Sequence, residues 1–222
     1  MSTRGINEMY VYGGSQHNTD PVPTSTYVAR IEPGTLKELW RTVLLNTNIS
    51  QPWTGVGGME SLGGNLFVVS NSYLYKLNGT TGAVEGVLSL PVIGSLPSDS
   101  YFNGMGGWPD GTLVMKNLAR AAGCTLQGFN AVVECPGPVS TLVAVDSKTL
   151  KVLDSVPLAQ LIGGRLTATQ YHGKDYAYLA GSTNLYRYVW DGKNLTLDSS
   201  WGPVPARSDS CISYKSKIIR CI

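Results

Sequence analysis

A hairpin phrase returns four times along the chain, and no other feature restricts the fold as much. The copies are YVARIEPGTLKEL from Tyr27, YLYKLNGTTGAVE from Tyr73, TLVAVDSKTLKVL from Thr141 and NLYRYVWDGKNLT from Asn184. Each opens with a short run rich in apolar and aromatic residues. A turn of Gly, Pro, Asp, Asn, Ser or Thr follows, then a second strand-like stretch. That order is the sequence form of a β-hairpin. The starts are 46, 68 and 43 residues apart, and an insertion at residues 118–139 accounts for the long middle interval. The period is therefore about 45 residues.

Another strand pair precedes each hairpin. Ser61-Leu62-Gly63-Gly64-Asn65 turns into LFVVS, Trp108-Pro109-Asp110-Gly111 into TLVMK, and His172-Gly173-Lys174 into DYAYLAG. Each unit thus holds four short antiparallel strands, the pattern of a β-propeller blade. A β-sandwich also has many short strands, but it needs no repeating sequence. The reading is an all-β propeller of four-stranded antiparallel blades in one domain, residues 1–222. About four blades are expected, from three strands at the start, three full units and two strands at the end. Such an arc is expected to be incomplete and to self-associate through open blade edges.

Composition agrees. The chain of 222 residues has 26 Gly, 12 Pro and 12 Tyr against 3 Phe, a mixture that suits many strands and turns. A net charge of +2 gives no strong field for nucleic acid or an anionic membrane. No apolar run approaches the roughly 20 residues of a membrane helix. The first ten residues, MSTRGINEMY, lack the apolar core of a signal peptide.

The stretches ARIEPGTLKELW and YKLNGTTGAVEG resemble the repeat of the pyrroloquinoline-quinone-type (quinoprotein-like) propellers. In that repeat an Asp-x-x-Thr-Gly-like turn leads into a strand ending in Trp. Trp40 holds this last position in the first unit, Gly86 and Asp154 in the next two. The resemblance implies the blade architecture. It would also allow a quinone-dependent dehydrogenase, ranked last, because no adjacent Cys pair and no quinone-binding set stand in the sequence.

Propeller ligands usually sit at the mouth of the central channel. The polar residues placed to reach it are Glu60, Asn103, Arg165 and His172. Glu60 in GGMES and Asn103 in YFNGMGG occupy related places, and their oxygens suit calcium. The stretch FNGMGGWPDGTL resembles segments of gluconolactonase-like and strictosidine-synthase-like propellers. That resemblance implies a metal-assisted hydrolase or lactonase, with calcium held by Glu60 and Asn103 polarising an ester or lactone oxygen. A plainer reading competes with it, in which Asp110 and Gly111 merely turn the chain, Asn103 caps a strand end and His172 is a turn residue beside Gly173. Lys116 and Arg120 read as solvated rim charges. GVGG and GMGG read as innermost strands packed closely at the axis, since neither precedes a helix pattern.

Four cysteines are present. Cys124 and Cys135 bracket TLQGFNAVVE within the insertion, and Cys211 and Cys221 flank a hairpin turn centred on Ser216. Two disulfides in an oxidising compartment, periplasmic or secreted, are expected, against the plainer reading of four buried thiols. The Cys124–Cys135 bridge would hold Phe129 and Asn130 at the tip of a contact loop. Zinc is not expected, because the spacings are wide and His17 and His172 lie apart from them. Asn48-Ile-Ser, Asn78-Gly-Thr and Asn194-Leu-Thr fit the glycosylation pattern. The function expected is a non-catalytic scaffold presenting loops to a protein or small ligand, with no cofactor. The hydrolase with calcium is the alternative.

Overall fold

Each repeated phrase forms the third strand, turn and fourth strand of a small antiparallel sheet in the computed structural model. The structure describes residues 8–13, 26–44, 58–92, 100–119, 140–158, 166–180, 184–202, 204–205, 213–214 and 217–218. The first blade is β1 (Met9–Gly13), β2 (Thr26–Ile31) and β3 (Glu38–Leu44). The second is β4 (Gly58–Leu62), β5 (Asn65–Ser70), β6 (Tyr73–Asn78) and β7 (Val84–Ser89). The third is β8 (Ser100–Gly107), β9 (Thr112–Ala119), β10 (Thr141–Asp146) and β11 (Lys151–Pro157). The fourth is β12 (Leu166–Tyr171), β13 (Lys174–Ala180), β14 (Asn184–Trp190) and β15 (Leu195–Leu197), and β16 (Val204–Pro205) also pairs with β14. β17 (Ser213–Tyr214) and β18 (Lys217–Ile218) make a separate hairpin. The described residues contain no helix.

The sheets stand around an axis lined by their first strands. A Cβ on Gly58 would lie 3.2 Å from the Met105 amide nitrogen, one on Gly104 3.0 Å from that of Leu166, and one on Gly106 3.1 Å from that of Ala168. These pairs advance together along the chain, so β4, β8 and β12 run parallel, side by side. Glycine is needed there because a side chain would force the backbones apart. The blade faces then stack. Tyr10, Val28, Leu66, Val68 and Leu77 fill the space between blades one and two. Phe67, Leu74, Leu113, Met115 and Val143 fill the next. Trp108, Val114, Leu142, Leu179 and Tyr188 fill the third. A middle blade is therefore covered on both faces, which a two-sheet sandwich never is, and its inner strands lose the apolar–polar alternation.

The third-strand positions expected in these layers are mostly there. Val28, Leu74, Leu77, Leu142 and Val145 are fully buried and Tyr188 nearly so. Ile31 and Leu185 are half-buried, because they face away from the neighbouring blade. In the fourth unit the repeat runs two residues later than the sequence alignment has it. The Asp191–Asn194 turn is shorter, so Trp190 takes the place of Leu77. The insertion also begins later: Leu118 and Ala119 belong to β9, because a lengthened β8 gives them partners in Tyr101 and Ser100.

Successive blades are joined at one recurring position. The β2–β3, β6–β7 and β10–β11 pairs each carry a bulge. Beside it, Trp40, Gly86 and Asp154 each reach the third-to-fourth-strand turn of the following blade. Trp40 donates from Nε1 to the Gly79 carbonyl at 3.2 Å, and its ring would lie 2.6 Å from a Cβ on Gly82. Gly86 leaves room for Leu150, whose Cδ1 would be 2.5 Å from a Cβ there. Asp154 accepts a bond from the Leu195 amide at 2.7 Å. The position is constant and the chemistry is not, which is why the motif fades along the sequence.

Candidate functional site at the long-connection end

Antiparallel order sends alternate connections to opposite ends of the blades. At one end all the turns are tight, among them Gly63-Gly64, Trp108–Gly111, Asp146–Leu150 and His172-Gly173. At the other end leave the long connections, between Gly13 and Thr26, Leu44 and Gly58, Ser89 and Ser100, Ala119 and Thr141, and Pro157 and Leu166.

Polar side chains at the tight-turn end complete turns. The Asn78, Asp146 and Asp191 side chains each accept bonds from two following backbone amides. These bonds hold Asp191 below the ordinary aspartate range, and Asp146 is lowered by the same kind of bond against the cost of burial. Asp110 accepts from the Thr112 amide (2.8 Å), the Thr112 hydroxyl (2.9 Å) and Trp190 Nε1 (3.2 Å). Trp190 stacks on Trp108 at 5.9 Å, and Trp108 Nε1 donates to the Tyr176 carbonyl. Burial pushes Asp175 above the usual aspartate range, and the Asp110 carboxylate adds to the rise. Pro109-Asp110-Gly111 is therefore a structural turn pinned to the next blade.

The long-connection end buries polar side chains in its wall. Ser70, Lys116, Asn117, Ser140 and Thr141 are wholly withdrawn from solvent. The Ser70 hydroxyl meets the Tyr12 hydroxyl at 3.2 Å and that of Thr26 at 3.3 Å. Burial pushes the Tyr12 phenol upward, and its bonds to Ser70 and Thr26 oppose the shift. Asn117 Oδ1 accepts from the Thr141 amide. Lys116, Asn117, Ser140 and Thr141 are all partnered, as groups so buried must be. The solvated-rim reading of Lys116 is corrected here. It faces the joint between blades three and four, and Gly104 opposite leaves the space its stem fills, with Lys116 Cε 3.3 Å from a Cβ there.

Asn103 is the exception to this satisfaction. Phe102 pairs with Asn117 and Gly104 with Lys116, so Asn103 is the extra residue of a bulge on innermost strand β8. Its Oδ1 is buried and has no hydrogen-bond partner. A buried acceptor in that state costs about 1–3 kcal/mol.

Of the four channel candidates, the three described ones stand at different levels. Glu60 faces the third blade, level with Gly107, whose Cβ would lie 3.4 Å from Glu60 Cγ. Asn103 precedes Gly107 by four residues, up to about 13 Å of strand. His172 is exposed in the β12–β13 turn at φ 48°, its ring 4.0 Å from that of Tyr171, at the tight-turn end. Arg165 lies outside the described residues, as do Arg120, Phe129, Asn130, Cys124, Cys135, Cys211 and Cys221. The register sets Glu60 and Asn103 at different levels of adjoining inner strands. The described residues contain no group of three or more His, Cys, Asp or Glu able to hold a metal. No described helix is long and apolar enough to cross a membrane.

No family model matches the sequence, and no curated protein matches it. Solved structures similar to the chain include a luciferin-regenerating enzyme, 15% identical, covering 90% of this chain and 61% of that one at a TM-score of 0.48. Regucalcin, a calcium-binding protein from Agrobacterium tumefaciens, is 14% identical over 92% of this chain and 64% of its own, at 0.48. A quinohemoprotein alcohol dehydrogenase from Pseudomonas putida HK5 is 14% identical over 83% and 36%, at 0.46. The chain spans less than two thirds of each of these proteins. Its own sheets and inner-strand contacts make it a β-propeller array, as the repeated hairpins suggest.

Proposed function

We propose that this protein is a non-catalytic propeller scaffold that binds a small polar ligand or a partner at its long-connection end. The observation that carries the reading is the Asn103 amide oxygen, buried on the innermost strand without a donor. A native chain keeps such a group at a cost, and a ligand donor would repay it. The tight-turn end supports the same division, because the polar groups described there are engaged in turns and joints.

The test is a thermal-shift series with monosaccharides, polyols, free amino acids and calcium chloride. Compounds that raise the melting temperature of the wild type should do so equally for Glu60→Gln and His172→Ala. They should have no effect on Asn103→Leu. An undiminished shift in Asn103→Leu would refute the site. A shift by calcium alone, lost in Asn103→Leu, would favour the metal-assisted hydrolase, with ligands other than Glu60 completing the shell.

A further inference from the structure

The turn between β5 and β6, Asn71-Ser72, takes hold of both ends of the connection that leads to the next blade. Ser72 O accepts from the Leu90 amide and Asn71 O from the Phe102 amide, each at 2.8 Å. Leu90 follows β7, and Phe102 lies in innermost strand β8. The first bond recurs one blade on, where Ser140 O accepts from the Leu158 amide at 3.0 Å, so it belongs to the general joint between blades. The second bond reaches the residue immediately before Asn103.

The turn is itself anchored. Ser70, which opens it, is bonded through its hydroxyl to Tyr12 and Thr26 of the first blade. Asn71 is buried and left-handed, at φ 53°. Ser72 is not left-handed, so φ is positive only at the first loop position, a place that glycine usually takes. Asparagine tolerates it, and a β-branched residue does not.

Phe102 is thereby fixed in three ways. Asn71 holds its amide, the apolar cluster between blades two and three holds its ring, and Asn117 pairs with its backbone. On the other side of Asn103, Gly104 pairs with Lys116 and sits against the Leu166 amide nitrogen. Asn103 is the extra residue between two pinned neighbours, and it cannot swing out to find a donor without freeing one of them. A binding group held in place before its ligand arrives lowers the cost of binding.

We propose, on the reading that Asn103 awaits a ligand donor, that Asn71 is the positioning residue of that site. Its left-handed carbonyl locks the entry of β8 and keeps Asn103 Oδ1 buried without a partner. Asn71 acts through its backbone and through Phe102, without touching the ligand.

A double-mutant cycle on the ligand-free protein tests this. Asn71→Gly removes the side chain and keeps the left-handed turn. Asn71→Val opposes that turn, and Asn71→Ala opposes it at a lower cost to folding. Asn103→Leu is melted in each background. It should raise Tm in Asn71→Gly as much as in the wild type, and by much less in Asn71→Val and Asn71→Ala, where Asn103 is released to find water. In NMR spectra of the side-chain amides, the Asn103 signal is assigned by its loss in Asn103→Leu. It should keep its position in Asn71→Gly and move in Asn71→Val and Asn71→Ala. An equal gain in Tm in every background, or a gain lost in Asn71→Gly, would overturn the role of Asn71. If Asn103→Leu does not raise Tm even in the wild type, the reading of Asn103 as a ligand group falls first, and the role of Asn71 falls with it.

Discussion

Asp146 and Thr141 stand at opposite ends of one strand, β10, and their surroundings use polar groups in opposite ways. Asp146 lies in solvent's reach, and its carboxylate caps the backbone of its own turn. Thr141 is wholly buried, and its amide bonds to the side chain of Asn117 on the neighbouring strand. The first arrangement is local: a few consecutive residues satisfy each other. The second joins residues distant in the chain and places amides and an ammonium in the wall at the end from which the long connections leave. Local satisfaction lets the tight-turn end fix each hairpin and its joint to the next blade. The other end buries its polar groups with partners drawn from other strands, and Asn103 Oδ1 stands among them without one.

Breaking the tight-turn end should be costly. Trp108→Ala removes a buried ring stacked on Trp190 and bonded to Tyr176, and should lose about 3–5 kcal/mol in denaturant unfolding. Gly82→Val puts a branched residue at positive φ against the Trp40 ring and should lose about 3 kcal/mol. Either variant unfolding at the wild-type midpoint would deny this end its structural role. The long connections should matter far less to stability. Replacing residues 122–138 with a short Gly-Ser linker should change it by about 1 kcal/mol or less, read from the same curves.

A pH series gives the smallest effect. The Asp175 pKa is raised in the fold, so its contribution is intact below the ordinary aspartate value. That contribution is lost as pH rises through the raised value. Asp175→Asn should therefore stabilise at neutral pH by less than about 1 kcal/mol and change nothing near pH 3. An equal effect at both pH values would contradict the assigned cause.

The blades were legible because their chemistry is local. A turn such as Asn78-Gly-Thr-Thr-Gly announces its own side-chain caps and left-handed glycine, and it recurs at a readable period. GMGG was also legible as an inner strand, because Gly104 and Gly106 allow the close approach expected of them. The stagger between blades was not legible. It is set by which glycine meets which backbone across the axis, and for that reason Glu60 and Asn103 look equivalent in sequence but stand at different levels. Lys116 was misread for a related reason. Its burial depends on the gap at Gly104, on another strand, although a lysine and an asparagine closing the otherwise apolar run TLVM were a visible sign. The fading Trp40 position shows the same limit, since Gly86 and Asp154 do its work with different atoms.

The most direct measurement compares the two ends in the protein without ligand. Asn103→Leu and Gly82→Val are melted side by side with the wild type. If Asn103 Oδ1 is held unsatisfied for a ligand, removing it relieves a cost of about 1–3 kcal/mol. Asn103→Leu should then melt several degrees higher, at roughly 2–4 °C per kcal/mol for a chain of this size, while Gly82→Val melts lower. If Asn103→Leu instead falls as far as Gly82→Val, Asn103 is a structural residue and the division between the two ends is wrong.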